Sequence, residues 1–310
     1  MFAKAFTQIL LAVVLVSSSV PTYNAYEVTT SVSVVTNSTE NTCETQDFTP
    51  SILIGNLYYY NQLNDTEKRL YDDLINSTSK FLKGEDITLT LCSYDAKNKK
   101  GYLEYYYFVK RVIRAYTYDN PEAVVWFENY NRTYYIADSK DYVYMKLTPK
   151  TPSEATSSLN ASNIEEELTA LHNTAKDFVK TLTGTDSEKI EQINKWIIDK
   201  VSYDETISLP DRDNIYGPLM KGTAICSGYS YAFKYLADLA GLNVIYVTGK
   251  AYDKNTNEFM PHAWNMACVD GKWLLVDVTF NTSTKTKYLL INPKDNIHFL
   301  DNSYNFTYTN

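Results

Sequence analysis

Apolar residues recur every three or four positions in five stretches of this chain, which predicts five helices. Leu63, Leu70, Tyr71, Leu74 and Phe81 form the first stripe, with Asn64 and Asp65 placed to cap it. Residues 101–116 form the second, with Leu103, Tyr107, Val112 and Ile113 as inward positions. Ile164, Leu168, Leu171, Ala175, Phe178 and Leu182 form the third, opened by a Ser162–Glu165 capping box and closed by Gly184. Thr185 and Glu188 open the fourth, whose stripe is Ile190, Ile193, Ile197 and Val201. The fifth starts at Cys226, continues through Phe233, Leu236 and Leu239, and stops at Gly241. Strands are predicted at 87–91, 123–127, 134–136, 142–147 and 243–248. Residues 250–261 are polar and predict a loop. His262 then begins a hairpin that turns at Asp270-Gly271 and returns through Trp273, Leu275 and Asp277.

The start of the chain reads differently. Lys4, the apolar run Ile9–Val16 and Ser17–Ser19 predict a secretory signal peptide over residues 1–20, too short to span a bilayer. Ala25 is a second cleavage point, and an uncleaved anchor is the alternative. Residues 21–48 are rich in Ser, Thr, Val and Asn without periodicity, and predict a linker. Residues 49–155 then form an N-terminal α+β accessory region, and 156–310 a catalytic domain, joined through the Pro/Ser/Thr-rich stretch 149–158. Asn37, Asn64, Asn76, Asn131, Asn160, Asn281 and Asn305 head glycosylation sequons, a number that a chain rich in Asn, Ser and Thr yields by chance.

A net charge of −8 with no basic patch argues against nucleic acid or an anionic membrane as partner. The 28 tyrosines include the clusters 58–60 and 105–107, which either stack on sugars or, more commonly, lie half-buried on the elements that carry them. There are four cysteines and no Cys-x-x-Cys pair, so no structural zinc site is expected. No metal and no cofactor is expected, and the first half has no acid pair or glycine-rich loop. Cys268 falls on a core strand as a small hydrophobe, while Cys43 and Cys92 are free to pair in an oxidising compartment.

Cys226 is the residue with chemistry. At a helix N-terminus the backbone N–H groups and the dipole favour a thiolate and can hold an oxyanion. Gly228 leaves room there for a substrate backbone. One cysteine before an amphipathic helix is ordinary by itself. The hairpin changes that, because it brings His262 and Asp277 to the same open end on neighbouring strands, where cross-strand side chains sit about 5 Å apart. Thiol, imidazole and carboxylate are the groups of acyl transfer through a thioester. His172 on a helix and His298 in the tail have no comparable setting in the sequence.

The stretches Gly222, Cys226, Gly228, Tyr229, then His262-Ala263-Trp264-Asn265, then Asp270, Gly271, Trp273, Asp277 and Thr279 resemble the signature of the transglutaminase-like superfamily, with 15 residues from His262 to Asp277 as in the family pattern. The resemblance covers roughly residues 185–295, and Trp196–Asp204 resembles the helix before the family's cysteine. It implies an α+β, papain-like core: a cysteine on a helix N-terminus packed on an antiparallel sheet carrying His and Asp, preceded by a smaller α+β region. It implies Cys226 as nucleophile, His262 as acid and base, and Asp277 as its orienting acid. Family members supply a second oxyanion donor from upstream, which makes Tyr216 a candidate, with Ser227 and Trp264 as positioning candidates. The expected protein is a secreted or cell-surface cysteine hydrolase, a peptidase or amidase, acting on extracellular or cell-wall protein or peptide. Alternatives are a crosslinking transglutaminase and a non-catalytic interaction module.

Overall fold

The computed structural model describes residues 57–93, 101–136, 142–155, 157–206, 208–253, 257–295 and 297–308. The expected signal peptide, the linker, Cys43 and its pairing with Cys92 lie outside them. Among the described residues no helix is long and apolar enough to cross a membrane.

The N-terminal region is built as α1 (Asp65–Asn76), α2 (Thr78–Leu82), β1 (Ile87–Ser93), α3 (Gly101–Asp119), α4 (Ala123–Phe127), β2 (Tyr130–Ile136) and β3 (Tyr142–Pro149). Asn64 caps α1, accepting from the N–H of Thr66 and Glu67, while Glu67 accepts from the N–H of Asn64 in return. The three strands form an antiparallel sheet in the order β1-β3-β2. Two expectations fail here. Ala123–Phe127 is a buried helix and not a strand: five consecutive apolar residues carry no period, and the Asn120 carbonyl accepts the Ala123 N–H to start a helical turn. Tyr107 is 55% exposed, because it stands five residues, about 140° of helix rotation, from the buried Val112. The inward face of α3 is Val109, Val112, Ala115 and Tyr116.

The second half follows as α5 (Ile164–Val179), α6 (Asp186–Lys200), β4 (Ser202–Tyr203), β5 (Thr223–Ala224), α7 (Cys226–Leu239), β6 (Val244–Asp253), β7 (Glu258–Val269), β8 (Lys272–Val276), α8 (Val278–Thr284), β9 (Leu289–Ile291) and β10 (His298–Leu300). The Thr185–Glu188 box opens α6 as expected. The Ser162–Glu165 box is absent: Asn160 takes the Ser162 N–H and hydroxyl into a local turn, and α5 starts after Asn163. A five-stranded antiparallel sheet runs in the order β10-β6-β7-β8-β9, with α7 against β6 and β7. The expected loop 250–261 is replaced by an arm in which β6 and β7 stay paired out to Asp253 and Glu258. Beyond Ala251 on β6 and before His262 on β7 the two strands pair only with each other and burial is slight, so the polar composition gave no strand signal. Asp270 (φ 49°) and Gly271 (φ 74°) form the turn between β7 and β8, both left-handed as that hairpin turn requires.

The two halves share one core. The Tyr59 hydroxyl donates to the Tyr246 carbonyl at 2.5 Å, Tyr118 bonds Thr248 at 2.7 Å, and Arg114 pairs with Asp301 at 2.7 Å. Tyr59, Tyr118, Tyr231 and Tyr246 are buried in edge-on and stacked ring pairs, which is where much of the tyrosine content goes. The sequon at Asn281 is closed to a glycan: its side chain is fully buried and bonded to Asn194 and to the Tyr288 N–H.

A buried polar cluster lies beside this seam. Lys234 on α7 bonds Asp238 at 2.8 Å and the Val244 carbonyl, while Asp119 and Glu122 are buried nearby. Burial, only partly offset by Lys234, pushes Asp119 up to about 7 and Asp238 up to about 6; burial pushes Glu122 up to about 7. A carboxyl group whose pKa rises on folding stabilises the fold fully below its unfolded value, about 4, and loses that contribution as pH rises through its folded value. The expected result is a urea midpoint higher at pH 5 than at pH 8. Glu122→Gln should flatten the difference, and a midpoint that rises with pH over that interval contradicts the assignment.

Candidate active site

Cys226 is the first residue of α7, preceded by Ile225 in extended backbone (φ −101°, ψ −179°). The first N–H groups of the helix, at 226–228, have no acceptor within it and point out beside the thiol. The helix start is fastened by the Arg212 carbonyl, which accepts the Ile225 N–H at 2.9 Å. A Cβ on Gly228 would stand 2.3 Å from that same carbonyl oxygen. Gly228 therefore makes room for the 209–214 loop, which corrects the expectation that it receives substrate. Ser227 is half-buried in the first turn.

His262 stands on β7 opposite Gly249 of β6. Its Nε2 lies 2.8 Å from Asp277 Oδ2, and the ring also hydrogen-bonds to Cys226. It stacks against Phe280 at 4.8 Å and Trp264 at 6.1 Å, both ring centroid distances. Burial alone would lower the imidazole pKa, but Asp277 and Cys226 outweigh it and raise His262 to about 10. Burial likewise acts to raise Asp277, and it too is overruled: His262 and His298 hold the carboxyl well below the ordinary carboxylate range.

Asp277 falls one residue past β8, where it is the N-cap of α8, with Oδ1 accepting the Phe280 N–H at 2.9 Å. Sequence reasoning missed this helix because Val276-Asp277-Val278-Thr279 reads as continued strand. An Asp followed by Thr279 and Asn281 was the available capping signal.

His298 is the larger correction. The sequence left it in a featureless tail, yet β10 carries it into the site, buried, with Nε2 at 2.9 Å from Asp277 Oδ2 and Nδ1 at 2.6 Å from Asp295 Oδ2. Its pairing with Ala251 on β6 is a long-range contact that no local pattern encodes. Only Asp295, three residues earlier, marked it. His172 bonds Tyr235 on the far side of α7 and takes no part. The ligand atoms of His262, Asp277 and His298 lie within 4.8 Å of one another, a spread that would also fit a metal ion. The 2.8 and 2.9 Å contacts are those of a hydrogen-bonded chain, and that is how we read the cluster.

The other candidates sort as follows. Trp264 is buried and flanks both histidines. Tyr216 is buried with its hydroxyl donating to Glu167 on α5 at 2.5 Å, so it is committed away from the thiol. The upstream residue within electrostatic reach of Cys226 is Tyr203 on β4, stacked on Tyr229 at 6.3 Å and 38% exposed. Sequence reasoning passed over it inside a stretch read only as an amphipathic helix and its exit. Cys268 on β7 is half-buried rather than a core residue, and is free.

A thiol at a helix N-terminus, facing an imidazole on an antiparallel sheet and a carboxylate just past the end of β8, defines a papain-like α+β core. Residues 172–278 match the model of the transglutaminase-like superfamily. The human kyphoscoliosis peptidase is 29% identical over 107 residues, which is 32% of this chain and 16% of that protein; its mouse counterpart is 27% identical over the same extent. The chain thus spans 16% of the length of these curated relatives. Among solved structures it is similar to a TGase (12% identity, TM-score 0.33, covering 48% of this chain and 44% of that one). It is also similar to the periplasmic domain of TgpA from Pseudomonas aeruginosa (15% identity, TM-score 0.30, 47% and 56%).

Proposed function

We propose that the protein is a secreted cysteine hydrolase, a peptidase or amidase that acts on protein or peptide amides outside the cell through a thioester. The observation that carries this reading is the hydrogen-bonded series Cys226, His262, Asp277 at the start of α7. The Cys226 sulfur attacks the amide carbonyl carbon, and the oxyanion is received by the outward N–H groups of the first turn of α7. Tyr203 faces the same region from the upstream side. His262, kept as the imidazolium by Asp277, gives its Nδ1 proton to the departing amine. The neutral ring then takes a proton from water, which attacks the thioester, and the thiol is restored. Export is supported by the leader-like residues 1–20 alone.

Water is favoured over an amine as acceptor because the thiol is half-exposed, Tyr203 beside it is also partly open, and the β6–β7 arm ends in solvent-facing residues. A crosslinker has to shield the thioester while holding a lysine. Purified protein incubated with a peptide library should give cleaved or deamidated products by mass spectrometry. With rising primary amine, hydrolysis should remain the main route at millimolar concentrations. Dominant amine adducts would make the protein a crosslinking enzyme, and no product of either kind would favour an interaction module.

A further inference from the structure

We propose that His298, braced by Asp295, is a positioning residue that aims the Asp277 carboxylate at His262; this rests on the hydrolase reading above. Asp277 is wholly buried and receives three bonds: the Phe280 N–H on Oδ1, and the Nε2 atoms of His262 and His298 on the same Oδ2. The terminal torsion of an aspartate is broad and two-fold, so a carboxylate held by the cap and by His262 alone can turn. His298 removes that freedom because it is fixed at both ends. Its Nδ1 meets Asp295 Oδ2, while Asp295 Oδ1 accepts the N–H groups of Ile297 and His298 at 2.9 Å each. The acceptor is thereby tied to its own turn.

The His298 ring is packed among Trp264 at 5.0 Å, Phe280 at 5.5 Å and Tyr288 at 5.8 Å. Across the strand pair it meets Ala251, which carries no charge. The titratable groups that face it are therefore Asp277 at the end of β8, Asp295 in the preceding turn, His262 on β7 and Tyr288 before β9. A purely structural histidine would fill this space and satisfy two acids without affecting how His262 titrates. A positioning histidine would affect it: once Asp277 turns away, burial is left to act on His262 and the alkaline limb moves to lower pH.

The test measures two quantities in wild type, His298→Gln, His298→Leu and Asp295→Asn. One is kcat/KM on a peptide amide cleaved by the wild type. The other is the rate of Cys226 alkylation by iodoacetamide from about pH 5 to about pH 11, which requires no turnover. His298→Leu should lower both at neutral pH by about tenfold or more and shift the alkaline limb down. His298→Gln returns an N–H donor to the place of Nε2 and should recover to within about threefold of wild type. Asp295→Asn keeps the two backbone bonds but turns a donor toward Nδ1, and should shift the limb as well. Limbs that superimpose on wild type in both His298→Leu and Asp295→Asn, or a Gln variant no better than Leu, overturn the proposal. If His298→Leu does not fold, the contrast between His298→Gln and Asp295→Asn decides. A wild type that alkylates with the expected profile yet cleaves nothing counts against the hydrolase reading and leaves this test intact.

Discussion

Cys226→Ala should reduce turnover by a factor on the order of 10⁴ or more and leave the fold unchanged. The thiol is the group at the start of α7 that hydrogen-bonds to His262, and so the one set to form the covalent intermediate. The remaining machinery, the N–H groups of the first turn and the Asp277–His262 pair, can only polarise a bound amide. The fold is indifferent because the side chain is half-exposed and loses one atom, an effect of about 1 kcal/mol or less. Cys226 should also be the thiol that iodoacetamide takes first in the native protein, ahead of the half-buried Cys268. Residual activity above a hundredth of wild type in Cys226→Ala, with native circular dichroism, would place the chemistry elsewhere.

Asp277→Asn should cost about 10² to 10⁴ in kcat/KM. The direction follows from the opposing influences on His262. Burial is the largest and lowers its pKa; the Asp277 charge and bond, together with Cys226, outweigh burial and hold the ring protonated to about 10. An asparagine removes the charge, burial wins, and the imidazolium is lost from the neutral range. The alkaline limb of the pH–rate profile should therefore fall toward neutrality. The helix at this position is spared, since Asn caps a helix about as well as Asp. Asp277→Ala removes the cap too and should lose roughly 1 kcal/mol more in unfolding experiments. An Asn variant with wild-type rates and an unmoved limb would leave Asp277 as a capping residue alone.

What could be read from the sequence depended on how local each feature is. Cys226 was legible because the apolar spacing of Phe233, Leu236 and Leu239 and the Gly241 stop mark a helix with the cysteine ahead of it. His262 and Asp277 were legible because a two-residue turn at 270–271 sets the hairpin register. His298 was not, since its role depends on β10 crossing to the far edge beside β6. The β6–β7 arm was misread because paired backbone without burial on either face leaves no alternation. Ala123–Phe127 was misread for the opposite reason, being buried on every side. Tyr216 drew attention by its place in a familiar phrase, whereas Tyr203 was found only when parallel pairing of β4 with β5 set it beside the helix start.

The strand order β10-β6-β7-β8-β9 has a consequence in time. The β6–β7–β8 meander closes through neighbouring turns and needs little loop closure, so it should form early. β10 follows β9 in the chain but lies at the opposite edge of the sheet, and its partners on β6 are 47 residues away in the His298–Ala251 pair. Such non-local contacts close late in folding. On refolding from denaturant, the circular dichroism of the sheet should recover before the full rate of turnover on a peptide amide returns. In that interval His262 and Asp277 are already joined while the second histidine is still undocked, so a slow phase seen in activity alone reports the arrival of the last strand.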